Sequence, residues 1–340
     1  MVIDVPTIKD VARLAGVAPS TVSIVLSNKG KVSERTREKI LQAVNALGYI
    51  PNGLARNLAR RKTFVVGLLM AEVANPYHAT LLHHLEKELR KRGYRLSVGV
   101  SEGKPELEME IVKDFISQKV DGVFIHTADV FDVYFPTIFE LKRRSVPVCL
   151  IGGELEGISL PVVDIALEAG SYELTNYLVN RGYRRFLYLS GPKNVMTFKR
   201  RIDSHKNALM RHGCIFDEKD IVETTPNIAG GYEVIRRVFS YSGPSYDVVL
   251  CANDFMAFGV LKAFDEIGIK VPAEIGVAGF DDIEFSSVAR VPLTTVRIPI
   301  HDLAKNSVDV LYAIMEGREG ELTQRKMVVP LEVIPRSSTK

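Results

Sequence analysis

Several polar side chains stand just beyond short apolar runs in the later part of the sequence. Asn75-Pro76-Tyr77 follows FVVGLLM, His126 closes DGVFIH, Gly152 follows VPVCLI, Asn253-Asp254 follows VVLCA, and Asp281-Asp282 follows IGVAGF. Arg201 lies in a stretch after the FLYLSG run. Amides, carboxylates and a forked guanidinium make paired hydrogen bonds, the chemistry that a molecule with several hydroxyls requires. Asn75 and Asp254 have a simpler use as helix caps, whereas Arg201, Asn253 and Asp281 are less easily explained that way. Three other patterns point to different chemistry and fall short of it. GVSEG (99–103) has the spacing of a nucleophile elbow with Ser101 attacking, but Lys104-Pro105 separates the serine from the next helix and no partner His or acid recommends itself. GVSEGK is one residue short of a phosphate-binding loop and continues with Pro. His78, His83 and His84 crowd one helix start without metal-binding spacing and are expected to be solvated.

The elements that would position these residues follow from the hydropathy pattern. From Phe64 on, apolar runs (FVVGLLM, YRLSVGV, DGVFIH, VPVCLI, FLYLSG, YDVVLCA, IGVAGF) alternate with amphipathic stretches such as YHATLLHHLEKELRKRG. That alternation predicts βαβ units and parallel sheets. FVVGLLM and FLYLSG each open such a series, so two similar lobes are expected. Ligands of open parallel sheets sit beyond the C-terminal strand ends, and two facing lobes would line one cleft with them. The 340 residues, 46% hydrophobic and 25% charged, suffice for two or three domains and exclude wholesale disorder. No apolar run approaches the ~18 residues of a membrane span. Met1 is not followed by a basic-then-apolar leader, and Cys149, Cys214 and Cys251 lack metal-ligand spacing. Both features predict a cytoplasmic protein with reduced thiols, no metal and no cofactor.

The net charge of +3 is unevenly spread. Residues 1–62 carry eleven Lys/Arg against four acids, a local +7, leaving the remainder at −4. A basic head on a mildly acidic body suggests a polyanionic partner. Within that head, Thr7 and Asp10 have capping-box spacing, followed by an apolar stripe of Ile8, Val11, Ala12 and Ala15. Gly16 breaks the helix and Pro19 suits the first position of the next. The second helix would bury Val22, Val25 and Leu26 and turn Pro19, Ser20, Thr21, Ser23 and Ile24 outward. A third would run from Ser33 to Gly48 with Ile40, Val44 and Leu47 inside. Such a helix-turn-helix presents small polar side chains to base edges while Lys and Arg hold phosphates.

TIKDVARLAGVAPSTVSIVLS and VSERTREKILQAVNALGYIPNGLARNLA resemble, without gaps over about sixty residues, the headpiece and hinge of lactose/galactose repressor-type (LacI/GalR) regulators. The resemblance implies that Ser20, Thr21, Ser23 and Ile24 face bases, with Pro19, Ser27 and Lys31 in the same surface. Thr7, Ser33, Thr36 and Asn52 would hold phosphates. It further implies hinge helices pairing in the minor groove, with Ala55 packed and Leu58 as an apolar wedge. ANDFMAFG, GFDDIEFSSVARVPLTTV and RRIDSHKNAL resemble the family's AND-x-MA-x-G, G-[FY]-DD…PLTT and R-x-x-G-F-x-x-AL segments. These imply that Tyr77, Arg201, Asn253 and Asp281 bind an effector, with His126 and Thr197 joining them and Asn75 beside Tyr77. Departures are Ala18 for a capping Ser or Thr, Ile24 for Arg, Ser27 for Asn, Ser204 for Gly, Gly152 where some sugar-binding relatives carry Asp, and Pro226 near the position of a stacking aromatic.

The expected architecture is therefore an all-α helix-turn-helix headpiece (1–49), a hinge (50–63) and an α/β periplasmic-binding-protein-like body (64–340). The first lobe is expected over about 64–165 and 297–325, and the second over about 166–296 and 326–340. By this resemblance the chain is a homodimeric repressor of a roughly palindromic operator, controlled by a small molecule, with a sugar ranked ahead of a nucleobase. The sequence leaves open a protein co-regulator docking on the body. Rival readings are an exported sugar-binding receptor and a serine hydrolase.

Overall fold

Apolar residues spaced three and four apart fold the N-terminal part into three helices, α1 (Ile8–Ala15), α2 (Pro19–Leu26) and α3 (Glu34–Leu47). The computed structural model describes residues 6–26, 30–49, 62–126, 135–153, 159–239, 246–321 and 324–340, in two units, 1–63 and 64–340. Ser27 and the expected hinge residues Asn52, Ala55 and Leu58 lie outside the described residues. Val11, Ala12, Val22, Val25, Ile40, Ala43 and Tyr49 form the small core of the first unit. Val44, Leu47 and Leu26, expected inside, pack only partly buried at its margin. Gly16 ends α1 at φ +68°, a conformation that side chains rarely adopt, and lets Val17 N–H reach the Ala12 carbonyl at 3.0 Å.

The second unit runs β1 (Val65–Met70), α4 (Pro76–Lys91), β2 (Arg95–Val100), α5 (Pro105–Ser117), β3 (Gly122–His126), α6 (Phe135–Arg143), β4 (Val148–Ile151) and β5 (Val162–Ile165). It continues with α7 (Leu167–Asn180), β6 (Phe186–Ser190), α8 (Met196–Arg211), β7 (Ile221–Glu223), α9 (Ile228–Val238), β8 (Val248–Cys251), α10 (Asp254–Ile267), β9 (Gly276–Ala278) and α11 (Phe285–Val288). The last elements are β10 (Thr295–Arg297), α12 (Ile300–Met315), β11 (Lys326–Val329) and β12 (Glu332–Ile334).

Two parallel sheets result, one ordered β11-β5-β4-β3-β1-β2 and the other β7-β6-β8-β9. Helices cover both faces of such sheets, so their central strands are continuous apolar runs; β3, β4, β6 and β8 bury nearly every residue. A two-stranded antiparallel ribbon of β10 and β12 stands beside them. The chain passes from one lobe to the other three times, after β5, β10 and β11.

One expected boundary is corrected. Lys326–Val329 pairs in parallel with Val162–Ile165 and so belongs to the first lobe, and the final crossing falls after Val329 rather than at 325/326. The reason is that β5 would otherwise be an open edge, and β11 covers it with a strand whose Lys326, Met327 and Val328 stay exposed. That exposure hides β11 from a search for buried runs. Among the described residues, no helix is long and apolar enough to cross a membrane.

Candidate functional site

In the first unit, α2 turns Pro19, Ser20, Ser23 and Ile24 to solvent as the helix pattern predicts, while Thr21, expected outside with them, is half-buried. Ala18 supplies only its carbonyl to the first turn, accepting from Thr21 N–H at 2.9 Å, so α2 starts without a side-chain cap. Thr7 is more occupied than anticipated: Asp10 accepts from both its N–H (2.9 Å) and its hydroxyl (2.6 Å). Ser33 caps α3 through Thr36 N–H at 3.3 Å, and the two hydroxyls meet at 2.8 Å. Lys31 is exposed just before this pair.

In the second unit, parallel topology brings the strand ends together. β1 lies between β2 and β3, and β6 between β7 and β8, so each sheet reverses its winding direction where a site residue follows a strand. Asn75 caps α4, accepting from Tyr77 N–H at 3.0 Å, and its amide is near enough to the Asp281 carboxyl, contributed by the other lobe, to favour its charged form. Tyr77 is buried beside them, and its hydroxyl is raised above its usual range by burial and by the Asp281 carboxylate. Arg201, 6% exposed, stacks its guanidinium 3.8 Å over the Phe280 ring, donates to the Ala252 carbonyl and lies 3.7 Å from Asp281. Thr197 sits one turn earlier on α8, half-buried.

The capping assignment between Asn253 and Asp254 is reversed relative to expectation. Asn253 is the cap of α10, accepting from Met256 N–H at 2.8 Å, and it spends a donor on the Pro226 carbonyl at 3.0 Å. Asp254 is instead fully buried, accepting from Ile283 N–H, Ser286 Oγ (2.7 Å) and Thr295 Oγ1 (2.5 Å). Burial and the nearby Asp281 carboxylate push Asp254 upward against those donors. Asp281 is also pushed up by burial, with Arg201 opposing.

His126 ends β3 as expected, but it is joined by a residue that the sequence reading assigned to solvent. His78 is only 18% exposed, lies 3.2 Å from His126 Nε2 through its Nδ1, and places its Nε2 3.4 Å from Glu72. The Ile151 carbonyl, 2.9 Å from His126 Nδ1, can only accept, so that nitrogen carries the proton and Nε2 accepts from His78. The correction has a simple cause: HHLEKEL reads as an exposed helical face, and His78, five residues before that pair, turns inward on the first turn. Gly152 stands at φ +81° where a Cβ would come 3.3 Å from the His126 ring, so the ring occupies the space of a side chain. Ser101 is fully buried and tied to Glu108 and to the Met70 carbonyl. Among the described residues, no cluster could hold a metal ion.

Burial and the neighbouring His78 hold His126 down to about 4, from an ordinary 6.5. A depressed folded value means stability that is present above the unfolded pKa and lost as pH falls through the folded one. His126→Gln is therefore expected to cost least near pH 4 and most above 6.5, a difference of about 2 kcal/mol after allowing for the ring's partial exposure. Urea unfolding of both proteins across this window measures it, and a pH-independent difference would refute the assignment.

Comparison with known proteins agrees with this fold. Residues 7–52 match the bacterial regulatory proteins of the lacI family, and residues 175–339 match the periplasmic binding protein-like domain. The HTH-type transcriptional regulator GalR of Escherichia coli (strain K12) is 30% identical over 312 residues, 92% of this chain and 90% of that protein. The ribose operon repressor of the same strain is 31% identical over 307 residues, 90% of this chain and 92% of the relative. A crystal structure of the Lac repressor dimer bound to operator and the anti-inducer ONPF has a TM-score of 0.89 at 26% identity, covering 99% of both chains. With two similar lobes behind a helix-turn-helix head, and with that level of identity over nine-tenths of its length, the chain belongs to the LacI family of bacterial regulatory proteins.

Proposed function

We propose that the chain is a dimeric transcriptional repressor whose operator affinity is set by an uncharged polyhydroxyl effector, a sugar or sugar derivative, bound between the lobes. The observation that carries this reading is the internal pairing of the cleft's charges. Arg201 faces Asp281, His78 faces Glu72, and Arg200 faces Glu168 and Asp164. The segments 127–134 and 154–158, which follow β3 and β4 in sequence, contain no Lys or Arg. A phosphorylated or otherwise anionic ligand would thus compete with carboxylates for the guanidinium groups of Arg200 and Arg201, whereas hydroxyls can share these charge-assisted bonds. Ribose, in the name of the ribose operon repressor that this chain resembles, is of the same class. Pro226 by the cap residue Asn253 offers no aromatic ring to sandwich a flat base. Dimer formation is supported by Val98 and Val100, which edge strand β2 leaves exposed, and a twofold pair of heads suits a palindromic operator.

A thermal-shift screen of the full-length protein against neutral sugars, their phosphates and nucleobases tests the proposal. At one hundred times its Kd a ligand stabilises by about 2.7 kcal/mol. A neutral sugar is expected to raise the melting temperature and to change operator affinity by about 5–150-fold, with operator altering sugar affinity by the same factor. Stabilisation by phosphates or nucleobases alone would overturn it.

A further inference from the structure

Arg201 helps to line a cavity of about 10 Å³, with apolar walls from Leu174, Leu250 and Phe280, the side chains of Tyr188 and Cys251, and the polar groups of Ser171 and His205. We infer that this cavity is a binding site for a single water, and that His205, by holding that water, positions the guanidinium of Arg201. The volume is about what one water requires, and such a water needs two to four polar partners.

Three polar atoms in these walls are buried and have no hydrogen-bond partner: Ser171 Oγ, Arg201 Nε and His205 Nε2. Each lies on a residue less than a tenth exposed, and His205 is only 1% exposed. Their proton inventory can be settled from their neighbours. The Thr175 hydroxyl donates its one proton to the Ser171 carbonyl at 3.1 Å. Toward His205 Nδ1, 2.9 Å away, Thr175 Oγ1 can therefore only accept, so the imidazole proton is on Nδ1. His205 Nε2 is left as an acceptor seeking a donor, while Arg201 Nε–H is a donor seeking an acceptor. Burial holds His205 far below its ordinary value, at about 3, so the ring stays neutral and this polarity persists. A water accepts from Arg201 Nε–H, donates one proton to His205 Nε2 and shares the other with Ser171 Oγ. All three orphans are satisfied at once, which no direct pairing among them achieves.

The consequence falls on Arg201. Its other contacts are the Ala252 carbonyl, the Phe280 face and the 3.7 Å approach to Asp281, and none of them restrains Nε. The water fixes the third edge of the planar group, so the fork faces the cleft in one orientation. The RRIDSHKNAL segment places this imidazole where the family pattern quoted above has Phe, a ring that packs equally well against Tyr188 and Phe186 but cannot accept.

The site can be tested without an effector, so its failure is separable from failure of the proposed function. A crystal structure of the full-length protein that orders internal waters is expected to show one water within hydrogen-bond distance of all three atoms. In solution, the Arg201 Nε–H resonance should show a cross-peak to a long-lived water. His205→Phe is expected to abolish both the density and the cross-peak and to turn the guanidinium, whereas His205→Gln, which keeps an acceptor, restores them. Direct pairing of the three side chains in the wild-type structure would overturn the site. A water that persists unchanged in His205→Phe would overturn the role of His205.

Discussion

Arg201→Ala is expected to weaken effector binding by at least about a hundredfold, roughly 3 kcal/mol, the worth of one or two hydrogen bonds to a charged group. The guanidinium lies 3.7 Å from Asp281 and is the largest favourable influence on its charged form, so its loss does more than remove donors. It strands a buried carboxylate, and breaking a buried pair by removing one partner costs about 3–5 kcal/mol. Asp281, already raised by burial, responds by taking up a proton, which converts a charged acceptor into a neutral acid. Arg201→Lys separates these effects because the ammonium keeps the charge without the fork. It should recover most of the stability and little of the affinity. Operator binding without effector, measured by fluorescence anisotropy, should stay within a fewfold of wild type in both variants. Titration calorimetry showing wild-type effector affinity in Arg201→Ala would remove this residue from the site.

Gly259→Ala should lower stability by about 3 kcal/mol, or roughly 5–10 °C in melting temperature for a body of this size. Helices α9 and α10 cross backbone against backbone. A Cβ on Gly259 would lie 2.0 Å from the Ile228 carbonyl oxygen, and one on Gly231 would lie 2.1 Å from that of Met256. Neither oxygen is the end of a flexible side chain, so one helix must move. The better intrinsic helix propensity of alanine returns only about 1 kcal/mol. Because Asn253 caps α10 and also binds the Pro226 carbonyl ahead of α9, the displacement should reach the cleft and weaken effector binding as well. A variant as stable as wild type would show that the helices are not in contact there.

Much of this was legible in the sequence, and what was not has identifiable causes. The strands β1, β3, β4, β6 and β8 are unbroken apolar runs, as sheets covered on both faces require. β5 escaped notice because the buried Asp164 interrupts it, its charge answered by Lys326 and Arg200 from distant parts of the chain. β7, β10 and β12 are three residues each, too short for any period to show. Asn75, Tyr77, Asn253 and Asp281 could be singled out because a strand end is a place the sequence marks, whereas Arg201, inside α8, stood out only by its chemistry. His78 and Glu72 were not, since their contact depends on how α4 is rotated. The orphaned face of His205 is the extreme case: an imidazole on an amphipathic helix looks like surface until its neighbours are known. Gly259 was visible only as part of a motif, and its reason lies in a carbonyl thirty-one residues away.

The threefold crossing between lobes sets an order of events on the ribosome. The headpiece is one continuous stretch, and its helices are complete by Leu47. Neither lobe of the body is continuous. The first sheet lacks its edge until Val329 has been made, and the second lobe lacks the residue that clamps its last strand, Ser338, whose carbonyl accepts from Val277 N–H and whose hydroxyl donates back to the Val277 carbonyl. At bacterial translation speeds roughly 15–60 s separate these points. Throughout that interval a nascent chain displays a reader of DNA with no receptor to govern it. Among the described residues the headpiece core holds seven side chains, so in such a chain the reader is a marginal domain whose stability rests on that small core alone.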